Sequence, residues 1–230
     1  MADTLVAPAP AEDLTQLKKD FVTACRILQH EELTEAAFNV SVRISGRRMM
    51  VIPITSPNLV TTENLEIYSL DELVPDWKAH PAIYNARPDV NAIVHVHPPY
   101  AVAFSTVNQE FKPIHHYGAP FHGKLAMYRA PGQTGTVDRA NELARQLGDN
   151  RVILMQGHGS TMVGKDLREA VLCTIYLEES FKILVLARQM GTPEYLPLEL
   201  SEKITGQILK PRSQNKAWMH YSAKLGREAG

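Results

Sequence analysis

The chain contains 230 residues, of which 44% are hydrophobic. Its 24 basic and 25 acidic residues leave a formal net charge of −1, which excludes the strongly basic face that neutralises the phosphates of a nucleic acid. A chain of this length buries a sizeable core, so folding requires neither disulfides nor a structural metal. We therefore expect no nucleic-acid partner, and we expect any bound metal to serve chemistry.

The N-terminal residues and the cysteines indicate the cellular compartment in which the protein is expected. The first fifteen residues lack the positive and apolar segments of a secretory signal, and no apolar run approaches the length of a bilayer span. Cys25 and Cys173 each lie within an amphipathic helical pattern, so no disulfide framework is expected. These features predict a cytoplasmic protein without membrane contact.

The composition along the chain suggests one catalytic domain with two appendages. The stretch rich in alanine and proline predicts a flexible leader over residues 1–13. The apolar patterning that follows predicts a folded domain over 14–200, which the resemblance described below implies is catalytic. The more polar segment 201–230 predicts a helical tail that packs on this domain or on a neighbouring subunit.

The predicted elements alternate irregularly between helices and strands. Apolar residues spaced by three and four from Leu14 to Leu28 predict an amphipathic helix, and the alternation from Phe38 to Ser45 predicts a strand. Further strands are predicted at 50–54, 65–70, 90–97 and 151–156, and further helices at 77–87, 100–106 and 137–147. A His-rich strand or loop is predicted at 114–122.

The last predicted strand leads through Gly157-His158-Gly159 into a long helix with an apolar stripe from Leu167 to Leu184. The early strands resemble hairpins, and the βαβ rhythm is irregular. We therefore expect a three-layer α/β/α sandwich with a mostly antiparallel or mixed central sheet.

Three histidines at strand ends predict a metal site. His95 and His97 lie two residues apart at the end of a predicted buried strand, so their imidazoles project from the same face. His158, flanked by two glycines, follows another predicted strand. Together they form an open three-nitrogen site with positions left for water or substrate. The alternative is that these are core-edge histidines bonded to nearby backbone groups.

Asp76 precedes the predicted helix that leads into the His95 strand. A carboxylate there would complete a site for a divalent cation. The alternative role is an N-cap, because aspartate at a helix start accepts backbone N–H bonds whatever the function.

Three segments carry a resemblance to a known family: WKAHPAIYNARPDVNAIVHVHPPYA over 77–101, LMQGHGS over 154–160 and NVSVR over 39–43. Together they resemble the class II aldolase and adducin family, over about residues 14 to 190. The resemblance implies an α/β/α fold, a homotetramer with active sites at subunit interfaces, and a divalent metal held by His95, His97 and His158. The family's glutamate ahead of the short helix is Asp76 here, and its shorter arm favours action through water.

The substrate class follows from departures within this resemblance. Sugar-phosphate members of the family bind phosphate through glycines and small hydroxyls at three places, which here read Phe38-Asn39, Thr55-Ser56-Pro57-Asn58 and Val74-Pro75. The loss of these donors disfavours a phosphate and favours a flatter, more apolar ligand. The chain therefore resembles the family's decarboxylases of hydroxylated aromatic or heteroaromatic carboxylates, enzymes of aromatic compound catabolism.

The expected reaction suits an open metal site. A hydroxyl ortho to a carboxylate chelates the metal, which stabilises negative charge as the ring takes up the electrons of the departing CO2. The expected metal is zinc, manganese, iron or cobalt. A positioned acid then protonates the ring carbon, and His116 and His122 are the favoured candidates, with His115 also open. Each of these is alternatively an ordinary surface histidine.

The candidate substrate-binding residues are Asn39, Arg43, Tyr100 and Tyr221. Arg43, or else Arg129, is expected to hold a second carboxylate through a bidentate fork. Tyr100 lines the pocket or packs in the core. Tyr221, with Trp218 and His220, closes a neighbouring subunit's pocket or docks the tail.

Three other functions remain open. An aldolase or epimerase would act on a sugar phosphate or polyol. A non-haem iron oxygenase would consume oxygen on the same frame. An adducin-like binding module would keep the fold without catalysis, but such a module has no need of an intact ligand set.

Overall fold

A computed structural model describes residues 13–72, 78–130 and 135–226. The helices in these ranges are α1 (Thr15–His30), α2 (Ala79–Ala86), α3 (Pro99–Ser105), α4 (Val137–Leu147), α5 (Leu167–Met190), α6 (Leu198–Ile208) and α7 (Pro211–Lys224). The strands are β1 (Asn39–Ile44), β2 (Arg48–Val51), β3 (Glu66–Ser69), β4 (Ala92–Val96), β5 (Leu125–Tyr128), β6 (Val152–Met155) and β7 (Gly159–Gly164). Two short 3₁₀ helices span Pro57–Leu59 and His116–Phe121.

The seven strands form one mixed sheet in the order β3-β2-β1-β4-β7-β6-β5. Every neighbouring pair is antiparallel except β5 and β6. Helices flank the sheet: α5 packs against β4 and β7, and α4 packs against β5 and β6. This architecture confirms the predicted α/β/α fold with a mixed central sheet.

Two strands differ from the sequence prediction. The direct passage from the 151–156 strand into the long helix is wrong, because β7 lies between them and closes a hairpin with β6. All six residues of β7 are buried although they read GSTMVG, so neither alternation nor an apolar run marks the strand. The four-residue β5 was also missed, since so short a segment shows no clear period. The predicted His-rich segment forms the second 3₁₀ helix.

The tail contacts the domain of its own chain. The hydroxyl of Ser201 lies 2.9 Å from Nδ1 of His122, and the amide of Gln214 donates to Glu169 over 3.2 Å. Trp218 packs under the guanidinium of Arg168, which lies 5.4 Å from the ring centre. Since α6 begins at Leu198, the proposed boundary between residues 200 and 201 falls inside a helix.

Cys25 and Cys173 are buried and unbonded, as expected. Within the described ranges, no helix combines the length and the apolar character needed to cross a membrane.

Candidate metal centre

The histidine triad (His95, His97 and His158) converges at one edge of the sheet. Each ring centroid lies 5.1 Å from the other two, and one ligand nitrogen from each residue lies within 4.8 Å of the others. His95 belongs to β4, His97 follows it directly, and His158 lies in the connection between β6 and β7. The structure therefore brings together the three predicted ligands from two separate parts of the chain.

The surroundings of the ring nitrogens of His95 and His97 favour a ligand role for the triad. Nδ1 of His95 lies 3.1 Å from Oγ1 of Thr161, the residue opposite it on β7, which leaves Nε2 for a metal. Nδ1 of His97 lies 3.9 Å from a carboxylate oxygen of Glu35. Nε2 of His97 is buried with no hydrogen-bond partner among the described residues. A buried nitrogen without a partner is unfavourable unless something binds it, so these residues fit a bound cation.

Burial keeps the triad neutral. Burial, and then the neighbouring His97 and His158, hold the pKa of His95 well below its ordinary value. Burial likewise lowers the pKa of His97 and His158. Neutral imidazoles carry the lone pair that a metal requires, so the triad is in the protonation state of a ligand set.

A tight hairpin turn positions His158. Met155 of β6 pairs with Gly159 of β7, which leaves three residues in the turn. Gly157 adopts a φ of +64°, a conformation that favours glycine. A Cβ on Gly159 would lie 2.5 Å from the carbonyl oxygen of Val96 and 2.6 Å from Cδ2 of His97. Both glycines therefore allow the His158 turn to lie close against the end of β4.

A cavity of about 460 Å³ opens over the triad. Its walls include apolar side chains from three places in the chain: Phe38, Pro53 with Ile54, and Met155. Asn39, a predicted substrate-binding residue, also lines the cavity, and it pairs with His95 across β1 and β4. The volume lies within the usual range for small-molecule sites.

The two arginines predicted to hold a carboxylate are not among the described residues that line this cavity. Arg43 donates hydrogen bonds to the backbone carbonyls of Val90, Tyr84 and Arg87, over 2.7 to 3.1 Å. These bonds occupy the guanidinium that was expected to hold a carboxylate. Arg129 likewise donates to Asn108, over 3.2 Å.

The histidines predicted as proton donors and the two predicted substrate-binding tyrosines lie outside the cavity of their own chain. His116 begins the second 3₁₀ helix, with its ring 4.2 Å from that of Tyr117, and His122 contacts α6. Tyr100 packs at the start of α3, and Tyr221 lies on α7. None of them is among the described residues that line the cavity. Asp76 lies outside the described residues.

The structure adds residues that the sequence did not single out. Lys78 and His80 line the cavity near the start of α2. Nζ of Lys78 donates to the carbonyl of Gly135 over 2.9 Å. The buried His80 bonds the hydroxyl of Ser41 over 2.7 Å, and burial lowers its pKa to about 3. Lys78 and His80 belong to no recognisable sequence motif, so their position beside the cavity is visible only in the fold.

Comparisons with known proteins find both decarboxylases and aldolases among the relatives of this chain. The chain is 32% identical to Decarboxylase NovR of Streptomyces niveus over 136 residues, or 58% of this chain and 49% of that protein. It is 30% identical to an L-fuculose phosphate aldolase of Methanocaldococcus jannaschii over 177 residues, or 74% and 96%. It is 28% identical to 3,4-dihydroxyphthalate decarboxylase of Arthrobacter keyseri over 179 residues, or 67% and 72%. The match thus spans about half the length of NovR and nearly all of the fuculose phosphate aldolase.

A solved structure of an aldolase II superfamily protein from Pseudomonas syringae has the same fold. Its TM-score is 0.82 at 20% identity, with 95% of this chain and 96% of that chain covered. The family model described as Class II Aldolase and Adducin N-terminal domain matches residues 19–185. This match covers most of the chain, including all three triad histidines, and the chain therefore belongs to the class II aldolase and adducin family.

Proposed function

We propose that this protein is a divalent-metal-dependent decarboxylase of a hydroxylated aromatic or heteroaromatic mono- or dicarboxylate. The observation that carries the proposal is the placement of the histidine triad against a cavity with apolar side chains in its wall. Members of the family include both aldolases and decarboxylases. The cavity wall is what favours decarboxylation of an aromatic acid over cleavage of a sugar phosphate.

The wall suits a flat ring more than a phosphate. Phe38 and Met155 are apolar side chains in this wall, and Pro53 offers no backbone N–H group. A phosphate needs converging N–H groups and small hydroxyls, and burying it against such side chains costs free energy. Thr55 is the small hydroxyl residue that remains from the predicted phosphate turn on this wall.

Lys78 is the one cationic side chain among the described residues that line the cavity. Its ammonium group suits a carboxylate of the substrate. We propose that Lys78 takes the role first expected of Arg43, and that Asn39, which also lines the cavity, donates to an oxygen of the substrate. A dicarboxylate would place one acid group toward the triad and the other toward Lys78.

The triad would hold the cation, zinc, manganese, iron or cobalt. A bound cation supplies a Lewis acid that withdraws electron density from the substrate as CO2 leaves. The surrounding side chains keep water from the ring and hold its plane. The carbon that loses CO2 keeps the bonding electron pair and must then receive a proton.

A proton donor in trans explains the position of the predicted acids. His116, His122 and Tyr221 do not line the cavity of their own chain. We propose a homotetramer in which a neighbouring subunit brings one of these groups to the triad, with Asp76 as an alternative donor or water-mediated ligand. The free, buried cysteines suit a reducing cytoplasm, where we propose that the enzyme acts.

Two relatives support the reaction by name, and one of them also supports the substrate class. NovR is named a decarboxylase, and 3,4-dihydroxyphthalate is itself a hydroxylated aromatic dicarboxylate. The fuculose phosphate aldolase has similar identity and a match that covers a larger share of both chains, so aldol cleavage of a sugar phosphate is the competing function.

The test is a paired substrate screen. The purified protein is stripped with a chelator, reloaded with each of the four metals, and assayed for CO2 release from ortho-hydroxylated aromatic mono- and dicarboxylates. The same samples are assayed for carbonyl products from sugar phosphates and for oxygen uptake. We expect CO2 release that is lost on chelation and restored by metal.

A His97→Ala variant should bind no metal and release no CO2. His30→Gln is the matched control, because His30 lies on α1 and does not line the cavity. Cleavage of a sugar phosphate without action on any aromatic acid would establish the aldolase instead. Oxygen uptake would establish the oxygenase, and full activity without bound metal would contradict both.

A further inference from the structure

Helix α3 connects the two arms of the candidate metal centre. Its first residue, Pro99, is separated from His97 by Pro98 alone. Its last residue, Ser105, contacts the turn that carries His158. A displacement of α3 would therefore change the separation of two triad members that lie 61 residues apart in the sequence.

The hydroxyl of Ser105 is fully committed. Ser105 is 0% exposed, and its Oγ donates to the carbonyl of Val102 over 2.6 Å. The same oxygen accepts from the backbone N–H of Gly157 over 2.8 Å. Gly157 directly precedes His158, so this bond fixes the turn at the residue before the ligand. Removing the hydroxyl takes away the acceptor that holds this N–H group to α3, so the turn is then free to move relative to the helix.

The carboxylate of Glu178 holds the other end of α3. Oε1 accepts from the N–H of Tyr100 over 2.8 Å, and Oε2 accepts from the N–H of Ala101 over 2.9 Å. Glu178 lies on the long helix α5 and is only 9% exposed. Both N–H groups belong to the first turn of α3, where the helix itself offers no acceptor. The carboxylate thus ties the segment after His97 to the largest helix of the domain.

We propose that Ser105 and Glu178 are positioning residues that set the geometry of the metal centre through α3. Glu178 fixes the helix to α5 beside the His97 arm, and Ser105 fixes the His158 arm to the same helix. The proposal rests on the metal site of the proposed function. It assigns to two buried polar side chains a role beyond general stability, although neither is among the described residues that line the cavity.

The test uses cobalt(II) as the probe, because its visible spectrum reports coordination geometry without a substrate. Ser105→Ala, Ser105→Cys and Glu178→Gln are compared with the wild type in the full chain. Ser180→Ala is the matched control: Ser180 is also buried, at 3% exposure, and its hydroxyl donates to the carbonyl of Tyr176 over 2.6 Å within α5. Melting temperatures of the metal-free proteins report general stability.

We expect Ser105→Ala to bind cobalt about 10-fold more weakly, the lower end of the range for loss of a direct partner of a ligand, because Ser105 acts one residue away from His158; its visible spectrum should also change. Glu178→Gln keeps one acceptor and should weaken binding by a smaller factor. Ser105→Cys keeps a weaker acceptor at this position and should show an intermediate effect. This variant tests the proposal even if the alanine variant fails to fold. Ser180→Ala should keep wild-type affinity and spectrum even where its melting temperature falls.

Wild-type affinity and spectrum in both Ser105→Cys and Glu178→Gln would overturn the positioning role, whatever their melting temperatures. Failure of the wild-type protein to bind cobalt would instead refute the metal site on which the proposed function depends. The two failures are therefore distinguishable in one titration series.

Discussion

A lysine ammonium beside three neutral imidazoles sets the charge of the cavity. The sequence pointed to Arg43 because a guanidinium forms a bidentate pair with a carboxylate. In the structure that guanidinium lies 4.8 Å from the ring centre of Tyr84 and bonds three backbone carbonyls, so its charge serves the fold. Lys78 lines the cavity instead.

Replacing Lys78 by methionine should raise KM for an aromatic dicarboxylate by about 10- to 100-fold, the range expected for loss of a hydrogen bond to a charged group. The change in kcat should be much smaller, because Lys78 acts on the distant acid group. Steady-state kinetics with matched mono- and dicarboxylates measures this, and the monocarboxylate should lose less. Lys112→Met, at an exposed lysine that pairs with Glu110 over 3.5 Å, is the control. Equal KM values for Lys78→Met and wild type would refute the assignment.

The triad was accessible to sequence reasoning, whereas its supports were not. Two histidines spaced by two residues, and a third between glycines, have few structural explanations. The roles of Ser105, Glu178 and Lys78 depend on contacts between residues far apart in the chain, such as the 52 residues that separate Ser105 from Gly157. No local pattern encodes such a contact.

The hairpin of β6 and β7 requires a glycine at its first β7 residue. Gly159→Ala would place a Cβ within 2.6 Å of His97 and closer still to the backbone of Val96, which cannot move freely. We expect a loss of about 1–3 kcal/mol in the free energy of unfolding, the usual cost of overpacking, together with weaker cobalt binding. Urea denaturation measures the first effect and metal titration the second.

The same substitution at Gly206 provides the control. Gly206 lies inside α6, and a Cβ there would meet nothing within 4 Å. Gly206→Ala should therefore stabilise the protein by about 0.5–1 kcal/mol, since alanine loses less backbone entropy in a helix. If both alanines had the same effect, the close approach at Gly159 would not matter for stability.

Prediction at the level of elements succeeded where the pattern was long or strongly apolar. Helix α4 was predicted with its observed bounds, and β4 lies within its predicted range. The sequence analysis missed strand β7 because all six of its residues are buried and its small residues show no alternation of apolar and polar positions. Its neighbours in the sheet, rather than its own composition, decide its conformation.

Metal binding should stabilise the whole molecule, because only the folded chain brings the triad together. A cation at one hundred times its dissociation constant should add about 2.7 kcal/mol. For a chain of this size that corresponds to a rise of about 5–11 °C in the melting temperature. Differential scanning calorimetry of chelator-treated and reloaded protein tests this. His97→Ala should lose the shift while His30→Gln keeps it, and an equal shift in His97→Ala would place the cation elsewhere.

Acid should destabilise the metal-free protein through its buried histidines. Burial lowers the pKa of His80 to about 3, against about 6.5 in an unfolded chain. Below pH 6.5 the unfolded chain takes up a proton that native His80 refuses, so the free energy of unfolding falls as the pH falls toward 3. His95 acts in the same direction, since its pKa is also lowered by burial.

Replacing His80 by glutamine should therefore flatten the dependence of stability on pH between 7.5 and 5, although the variant is less stable at pH 7.5 because its contact with Ser41 changes. Urea midpoints of the metal-free wild type and the His80→Gln variant measure the two slopes. His220→Gln, at an exposed position on α7, should keep the wild-type slope. Parallel curves for wild type and His80→Gln would show that the burial of His80 does not control acid stability.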